Sequence, residues 1–260
     1  MPYTYTSYLR LDELLDLQTP ASGGAEHDEM LFIVIHQVYE LWFKQVLYEI
    51  DLLRRMFEAN ERPEALAALK RILTIFKTLV AQVDVLETMT PVSFLSFRDR
   101  LDSASGFQSF QFREIEVALG HRAPGLASRL PEGSGERRRV EERMAQPSVY
   151  DSFLRFLFRN GKPIPLDLLD RDSGQPVVED ERVREVLVRI YHMDPENREV
   201  CERLVDLDEG LQEWRYRHVK MVQRTIGMKT GTGGSEGFEY LKNTLFKPLF
   251  PDLWAIRTAL

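Results

Sequence analysis

Residues 28–58, DEMLFIVIHQVYELWFKQVLYEIDLLRRMFE, decide the fold class of this chain. Apolar side chains recur there every three or four residues, which is the period of an α-helix and not of a strand. The pattern predicts one long helix with a broad inner face. The side chains expected on that face are Phe32, Ile35, Tyr39, Trp42, Phe43 and Val46.

The helical period continues along most of the chain, and strand-like alternation is nearly absent. Pro63 should open a helix that reaches Leu86, because proline is favoured in a first turn. Residues 120–135 are turn-rich, and GERRRVEERM after them predicts a solvated, charged helix. The other predicted helices cover residues 9–17, 93–119 in two pieces split at Ser105-Gly106, 149–159, 179–191, 196–226, and a last stretch ending near Leu260. We therefore expect an all-α fold.

Length and composition narrow the class of protein. No linker or repeat divides the 260 residues, which predicts a single domain over residues 1–260. The 34 basic and 41 acidic side chains give a net charge of -7, which argues against bulk electrostatic binding to nucleic acid or an anionic membrane. Cys201 is the one cysteine, which excludes an intrachain disulfide and a cysteine-based zinc site. Without a signal-peptide or membrane-spanning pattern, we expect a cytoplasmic enzyme.

Residues 214–237, WRYRHVKMVQRTIGMKTGTGGSEG, carry the most informative functional signal. Trp214, His218 and Val222 are spaced by four residues and share one helical face. A histidine on such a stripe is either a core residue with a satisfied ring nitrogen or an iron ligand for a flat, apolar cofactor. The pattern leaves both interpretations open.

The glycine-rich loop that follows, residues 231–237, matches no phosphate-binding motif. It lacks the GxGxxG spacing, and it follows a helix where the dinucleotide fingerprint requires a strand. One interpretation is a flap that closes over a small molecule and offers the Thr232 hydroxyl. The other is a plain surface connection.

Phe32 and His36 are four residues apart on the most apolar face of the long helix. They predict either a pocket wall that pairs a stacking ring with a hydrogen-bonding ring, or a core histidine. Glu40, four residues after His36, and the segment His27-Asp28-Glu29 raise a third interpretation, a non-haem metal site of the His-plus-carboxylate kind. Capping and the helix dipole also explain acids at a helix start.

Phe94 and Arg98 show the same four-residue spacing. Arginine among phenylalanines is costly to bury unless it holds an anion, and its planar fork suits a carboxylate. The alternative is a local ion pair with Asp99, Asp102 or Glu114.

Tyr5 and Tyr8 lie in an N-terminal arm, residues 1–20. Such an arm could reach a neighbouring subunit and cover its pocket. Segments of this kind are more often untethered tails.

Four blocks of this sequence together resemble the tryptophan 2,3-dioxygenase family. They are HDEMLFIVIHQVYELWFKQ (27–45), FRDRLDSASGFQSFQFREIE (97–116), the stretch 214–237, and LFPDLWAIRT (249–258). The resemblance covers nearly the whole chain in the right order. It implies an all-helical haem enzyme whose pocket lies between long helices, with one non-covalently held haem b per subunit, ferrous when active. It also implies a homotetramer built as a dimer of dimers.

The resemblance assigns roles to residues of this sequence. His218 matches the histidine that ligates the haem iron, and His36 matches the distal histidine near the indole nitrogen. Arg98 matches the arginine that binds the substrate carboxylate, and Thr232 the loop threonine at its amino-acid end. The segment that forms one side of the substrate pocket comprises Phe32, Ile33, Val34, Ile35 and His36.

The remaining matches concern the edges of the pocket. Ser105 and Gly106 match small residues close to the haem, while Tyr5 and Tyr8 match tyrosines lent by an adjacent subunit. Phe94 stands where some relatives have tyrosine, so this chain lacks any hydroxyl contact from that position. Val83 stands where some relatives carry a tryptophan near the haem.

The resemblance implies that the enzyme inserts both atoms of O2 across the indole C2–C3 bond of L-tryptophan. The product is N-formyl-L-kynurenine. This reaction is the first step of tryptophan breakdown through the kynurenine pathway. We expect His36 to orient the indole N–H. The alternatives are a haem sensor or carrier without oxygenase activity, a haem dioxygenase with broader indole tolerance, and a helical interaction protein.

Overall fold

A computed structural model of the chain describes residues 2–102, 104, 106–123, 125–229, 231 and 238–260, without the side chains of Phe107, Glu239 and Tyr240. Throughout this part of the chain the regular structure is helical, with no strand. The α-helices are α1 (Tyr5–Leu9), α2 (Leu11–Leu14), α3 (His27–Ala59), α4 (Arg62–Leu86), α5 (Pro91–Arg98), α6 (Phe110–Leu119), α7 (Gly135–Met144), α8 (Val149–Arg159), α9 (Leu166–Leu169), α10 (Glu181–Met193), α11 (Pro195–Ile226), α12 (Phe238–Lys242) and α13 (Pro251–Ala255). Short 3-10 turns cover Asp99–Leu101, Gly106–Gln108, Ala127–Arg129 and Ile256–Thr258.

Three long helices form the centre of the molecule, which confirms the all-α prediction. Helix α3 packs along α4, and α11 packs along the same helix. Four of the six side chains predicted on the inner face of α3 are buried and two are half-buried. The buried ones are Ile35, Tyr39, Phe43 and Val46, and the half-buried ones are Phe32 and Trp42. Burying an aliphatic or aromatic side chain of this size contributes about 1.5–3 kcal/mol. The α3 face therefore supplies a large share of the core.

Two predicted helices are interrupted. The segment predicted as one helix over residues 9–17 contains only α2 and the last residue of α1, because Arg10 between these helices adopts a left-handed conformation with φ 52°. The stretch ending near Leu260 is also broken, into α12 and α13. Phe246 has a positive φ of 58° there, and Pro251 starts the next helix.

Asp208 of α11 holds the C-terminal segment by hydrogen bonds. Its fully buried carboxylate accepts hydrogen bonds from the backbone N–H of Leu249 at 2.7 Å and of Phe250 at 3.1 Å. It also accepts one from the indole Nε1 of Trp254 at 2.9 Å. Buried carboxylates require such partners, so these bonds fix the turn between α12 and α13 against α11.

Helix α7 is the charged helix that the sequence predicts. Val140 is its buried residue, and it joins a small cluster beside the main core. Arg143 pairs with Asp51 of α3, which ties this helix to the centre of the fold. No helix in the described ranges is long and apolar enough to cross a membrane.

Candidate active site

A large cavity opens between α3, α4, α5, α6 and α11. Its empty space, counted out to the solvent at its mouth, is about 1600 Å³. Much of its wall is apolar, formed by residues that include Phe43, Leu86, Met89, Leu101, Phe112, Val219 and Met221.

The fold brings six of the thirteen predicted site residues to this one cavity. Helix α3 contributes two of them, α5 contributes two, and one each comes from α11 and from the 3-10 turn before α6. They are Phe32, His36, Phe94, Arg98, His218 and Gly106. Val83 of α4 also lines the cavity and is 2% exposed.

The residues between Phe32 and His36 lie elsewhere. Ile35 is buried in the core at 6% exposure, and Val34 is 40% exposed. Together with Ile33 they do not line the cavity. Successive helical residues are rotated by about 100°, so the three residues between Phe32 and His36 face away from the wall that these two share.

Four predicted residues cannot be placed in the cavity of this single chain. Tyr5 and Tyr8 are 76% and 70% exposed, and α1 buries none of its residues. Ser105 and Thr232 lie outside the described residues. Their roles remain predictions.

The ring of His36 is fixed by its own helix. Its Nδ1 lies 2.7 Å from the carbonyl oxygen of Phe32, and the two rings are 4.1 Å apart. A carbonyl only accepts, so Nδ1 carries the proton and Nε2 remains a hydrogen-bond acceptor. Burial lowers the pKa of His36, which keeps the imidazole neutral.

The carboxylates proposed for a non-haem metal site make other contacts in the structure. Glu40 accepts a hydrogen bond from Gln111 Nε2 at 2.8 Å. Glu29 instead accepts from the backbone N–H groups of Ala21 and Ser22. In the described part of the chain, no group of three His, Cys, Asp or Glu side chains could hold a metal ion.

Phe94 and Arg98 occupy one edge of the cavity. Phe94 is 8% exposed, and its ring lies 5.8 Å from that of Phe32 and 5.5 Å from that of Phe97. Arg98 ends α5 and places its side chain on the cavity wall. Glu114, one of the acids that could pair with it, instead meets Arg139 at 3.1 Å.

His218 faces the cavity from α11. Its ring is stacked on that of Trp214, with centroids 5.2 Å apart and planes at 8°. Neither ring nitrogen hydrogen-bonds to any described residue, which favours the ligand interpretation over a satisfied core histidine. Burial above all, together with the charges of His36 and Arg113, lowers the pKa of His218 to about 4. Its imidazole is therefore neutral near pH 7, as a metal ligand must be.

Sequence reasoning missed a buried charged cluster in the same wall. Glu116, at 2% exposure, accepts hydrogen bonds from Arg113 of its own helix and from Arg215 of α11, the latter at 2.7 Å. Burial alone would raise the pKa of Glu116, but the two arginines lower it overall. The three-residue spacing of Arg113 and Glu116 was visible in the sequence, but Arg215 lies 99 residues away.

The sequence of this chain is similar to those of known proteins over nearly its whole length. The family model described as tryptophan 2,3-dioxygenase matches residues 2–132 and 146–260. This chain belongs to the tryptophan 2,3-dioxygenase family. A protein of Herpetosiphon aurantiacus named tryptophan 2,3-dioxygenase is 57% identical over 257 residues, covering 99% of this chain and 98% of its own length. One of Anaeromyxobacter dehalogenans with the same name is 56% identical over 259 residues, covering 99% and 96%.

Relatives of lower identity also match over nearly the whole chain. A tryptophan 2,3-dioxygenase of Bacillus thuringiensis is 41% identical over 261 residues, covering 99% of this chain and 92% of its own length. The family match leaves out residues 133–145, which include the charged helix α7. All cavity residues named above lie inside the matched segments. The family relation therefore covers the candidate site as well as the fold.

Proposed function

We propose that this chain is a haem-dependent tryptophan 2,3-dioxygenase that converts L-tryptophan and O2 into N-formyl-L-kynurenine. Both oxygen atoms enter the product across the indole C2–C3 bond. The observation that carries the proposal is the meeting of His218, His36 and Arg98 on one cavity of a family member. A neutral imidazole, a hydrogen-bonding ring and a guanidinium are the groups that a haem and an amino acid with an aromatic side chain would need.

The residues present fit a non-covalently bound haem b, one per subunit. His218 would ligate the iron, because its ring is neutral, faces the cavity and has no hydrogen bond to a described residue. Gly106, and by resemblance Ser105, would lie at the cofactor edge. Covalent attachment of the c type needs a pair of cysteines, and this chain has one cysteine.

Bound ferrous haem would supply the activation of O2, whose triplet ground state otherwise reacts slowly with a closed-shell indole. The protein then has to hold the substrate in one orientation. Arg98, assisted by Thr232, binds the amino-acid end, and the rings of Phe32 and Phe94 pack against the indole. The Nε2 of His36 accepts the indole N–H. The apolar wall excludes water from the site.

His36→Ala should raise KM for L-tryptophan by about 2- to 12-fold while turnover persists. The reason is the loss of one neutral hydrogen bond, which is worth about 0.5–1.5 kcal/mol. Steady-state kinetics on L-tryptophan and on 1-methyl-L-tryptophan measure the effect. The methylated ring cannot donate an N–H, so the substitution should not weaken its binding.

A complete loss of turnover in His36→Ala, with haem still bound, would contradict the orienting role. It would instead assign His36 an obligatory proton transfer. An equal rise in KM for both substrates would show that the indole N–H does not meet this ring.

We also propose that the enzyme is a cytoplasmic homotetramer, a dimer of dimers, in which each N-terminal arm completes a neighbouring pocket. The exposure of Tyr5 and Tyr8 supports an intersubunit role. A chain carrying Tyr5→Ala and Tyr8→Ala, co-assembled with an Arg98→Ala chain, should be more active than either parent. The intact pocket of the first chain would then receive the intact arm of the second.

Activity of the co-assembled chains is measured against each parent assembly at the same total protein concentration. The absence of complementation in verified mixed tetramers would refute arm exchange. Full activity of a strictly monomeric form would also refute it.

One spectroscopic experiment tests the function itself. The purified protein is mixed with L-tryptophan under air, and both its haem spectrum and the absorbance of the kynurenine product are followed. A haem sensor or carrier would show the Soret band without product. A colourless protein that fails to take up added hemin would overturn the proposal entirely.

A further inference from the structure

The indole ring of Trp214 is stacked against the imidazole ring of His218. It lies one helical turn earlier on α11, and the two ring planes differ by only 8°. Both side chains line the cavity, but Trp214 is 7% exposed and belongs to the main core. The indole therefore forms a fixed surface on which the imidazole rests.

The indole is held by other aromatic rings. Phe112 lies 4.6 Å from it, Phe43 6.1 Å, and Tyr39 6.4 Å, each measured between ring centroids. Tyr39 is itself fixed, because its hydroxyl donates to the carbonyl oxygen of Leu79 at 2.8 Å. These contacts come from α3, α4 and α6, so the position of Trp214 is set by the tertiary structure.

The two cavity histidines are held in different ways. His36 is oriented by its hydrogen bond to the carbonyl of Phe32, four residues earlier. His218 makes no such bond to the carbonyl of Trp214 at the equivalent position, nor to any other described residue. A histidine that ligates a metal commonly donates its second ring N–H to a carboxylate or carbonyl, which fixes the plane of the ring.

We propose that Trp214 is a positioning residue that fixes the plane of the His218 imidazole by ring stacking, where no described residue hydrogen-bonds to that ring. The inference rests on the proposed function, since it concerns His218 as the haem ligand. Stacked aromatic pairs gain energy beyond the area that they bury. The stack opposes rotation of the imidazole, so its ligating nitrogen stays aimed at the cofactor.

The test uses the haem-loaded protein with three substitutions. Trp214→Phe keeps an aromatic ring, whereas Trp214→Leu and Trp214→Met remove it, and methionine retains most of the apolar length. The two readouts are the rate of haem transfer to excess apomyoglobin and the iron–histidine stretching band in the resonance Raman spectrum of the ferrous form. The Leu and Met variants should lose haem about 2- to 12-fold faster and show a shifted or broadened band. Trp214→Phe should have a haem transfer rate and an iron–histidine band close to those of the wild type.

Phe57→Leu is the matched control. Phe57 is also buried among aromatic rings, with its ring centroid 5.2 Å from that of Phe156, but it does not line the cavity. It should reduce thermal stability without moving the iron–histidine band. This control separates a loss of core packing from a loss of ring orientation.

Each outcome decides the proposal. An unchanged band and an unchanged haem transfer rate in a folded Leu or Met variant would overturn it, as would a band in Phe57→Leu that moves equally. A wild-type protein that binds no haem would defeat the proposed function instead. A wild-type protein that holds haem through His218, with no response to Trp214, would defeat only the stacking inference.

Discussion

His218→Ala is expected to abolish the Soret band of the purified protein. In the proposed site His218 would be the protein ligand of the iron. Without it, a non-covalently held haem would lose its bond to the protein. Absorbance at the Soret maximum relative to protein, together with a pyridine haemochrome assay, measures the loss.

Two matched histidine substitutions complete this experiment. His192→Ala removes an exposed histidine on α10, away from the cavity, and should leave the haem content unchanged. His36→Ala, on the other side of the site, should retain haem while binding substrate more weakly. Adding imidazole to His218→Gly should restore part of the haem spectrum. A full complement of haem in His218→Ala would refute the ligand assignment.

Arg98→Ala is expected to raise KM for L-tryptophan by roughly 10- to 100-fold. The lost interaction is a charge-assisted hydrogen bond in an enclosed site, worth about 1.5–3 kcal/mol. Arg98→Lys should fall between the wild type and the alanine variant, because lysine keeps the charge but not the planar fork. Steady-state kinetics over a range of L-tryptophan concentrations give the KM values.

The substrate tryptamine, which lacks the carboxylate, tests the chemical basis of this effect. Arg98→Ala should leave its KM nearly unchanged, since the partner of the guanidinium is already missing. Arg100→Ala is the matched arginine control, because Arg100 is exposed and does not line the cavity. If tryptamine suffers the same loss as L-tryptophan, Arg98 does not bind the carboxylate.

The helices could be predicted wherever their signals are local. Pro63 marks the start of α4, and the predicted helix over residues 149–159 matches α8, whose first turn is capped by Ser148. The predictions were wrong where a distant contact or the backbone conformation of a single residue determines where a helix ends. Arg10 breaks the N-terminal helix by its positive φ, and the C-terminal helix is interrupted in a segment that bonds to Asp208, about forty residues earlier.

The site could be predicted only in part for the same reason. Four-residue spacings correctly indicated that Phe32 and His36 share a wall, but the sequence left His218 open between a core role and a ligand role. That choice depends on which atoms surround the ring. Its stacking partner Trp214 is in turn held by rings from α3 and α6, which no spacing within one helix can reveal.

The sequence by itself determined the helical class, the inner face of α3 and, through four family blocks, the reaction to be expected. These features depend on the order of neighbouring residues or on whole motifs, both of which are present in the linear chain. Only the tertiary structure decided that His218 stacks on Trp214 without a hydrogen bond to a described residue, and that Arg215 closes a buried cluster with Glu116. Burial and long-range partners set the charge and orientation of a side chain, and both exist only after the helices pack.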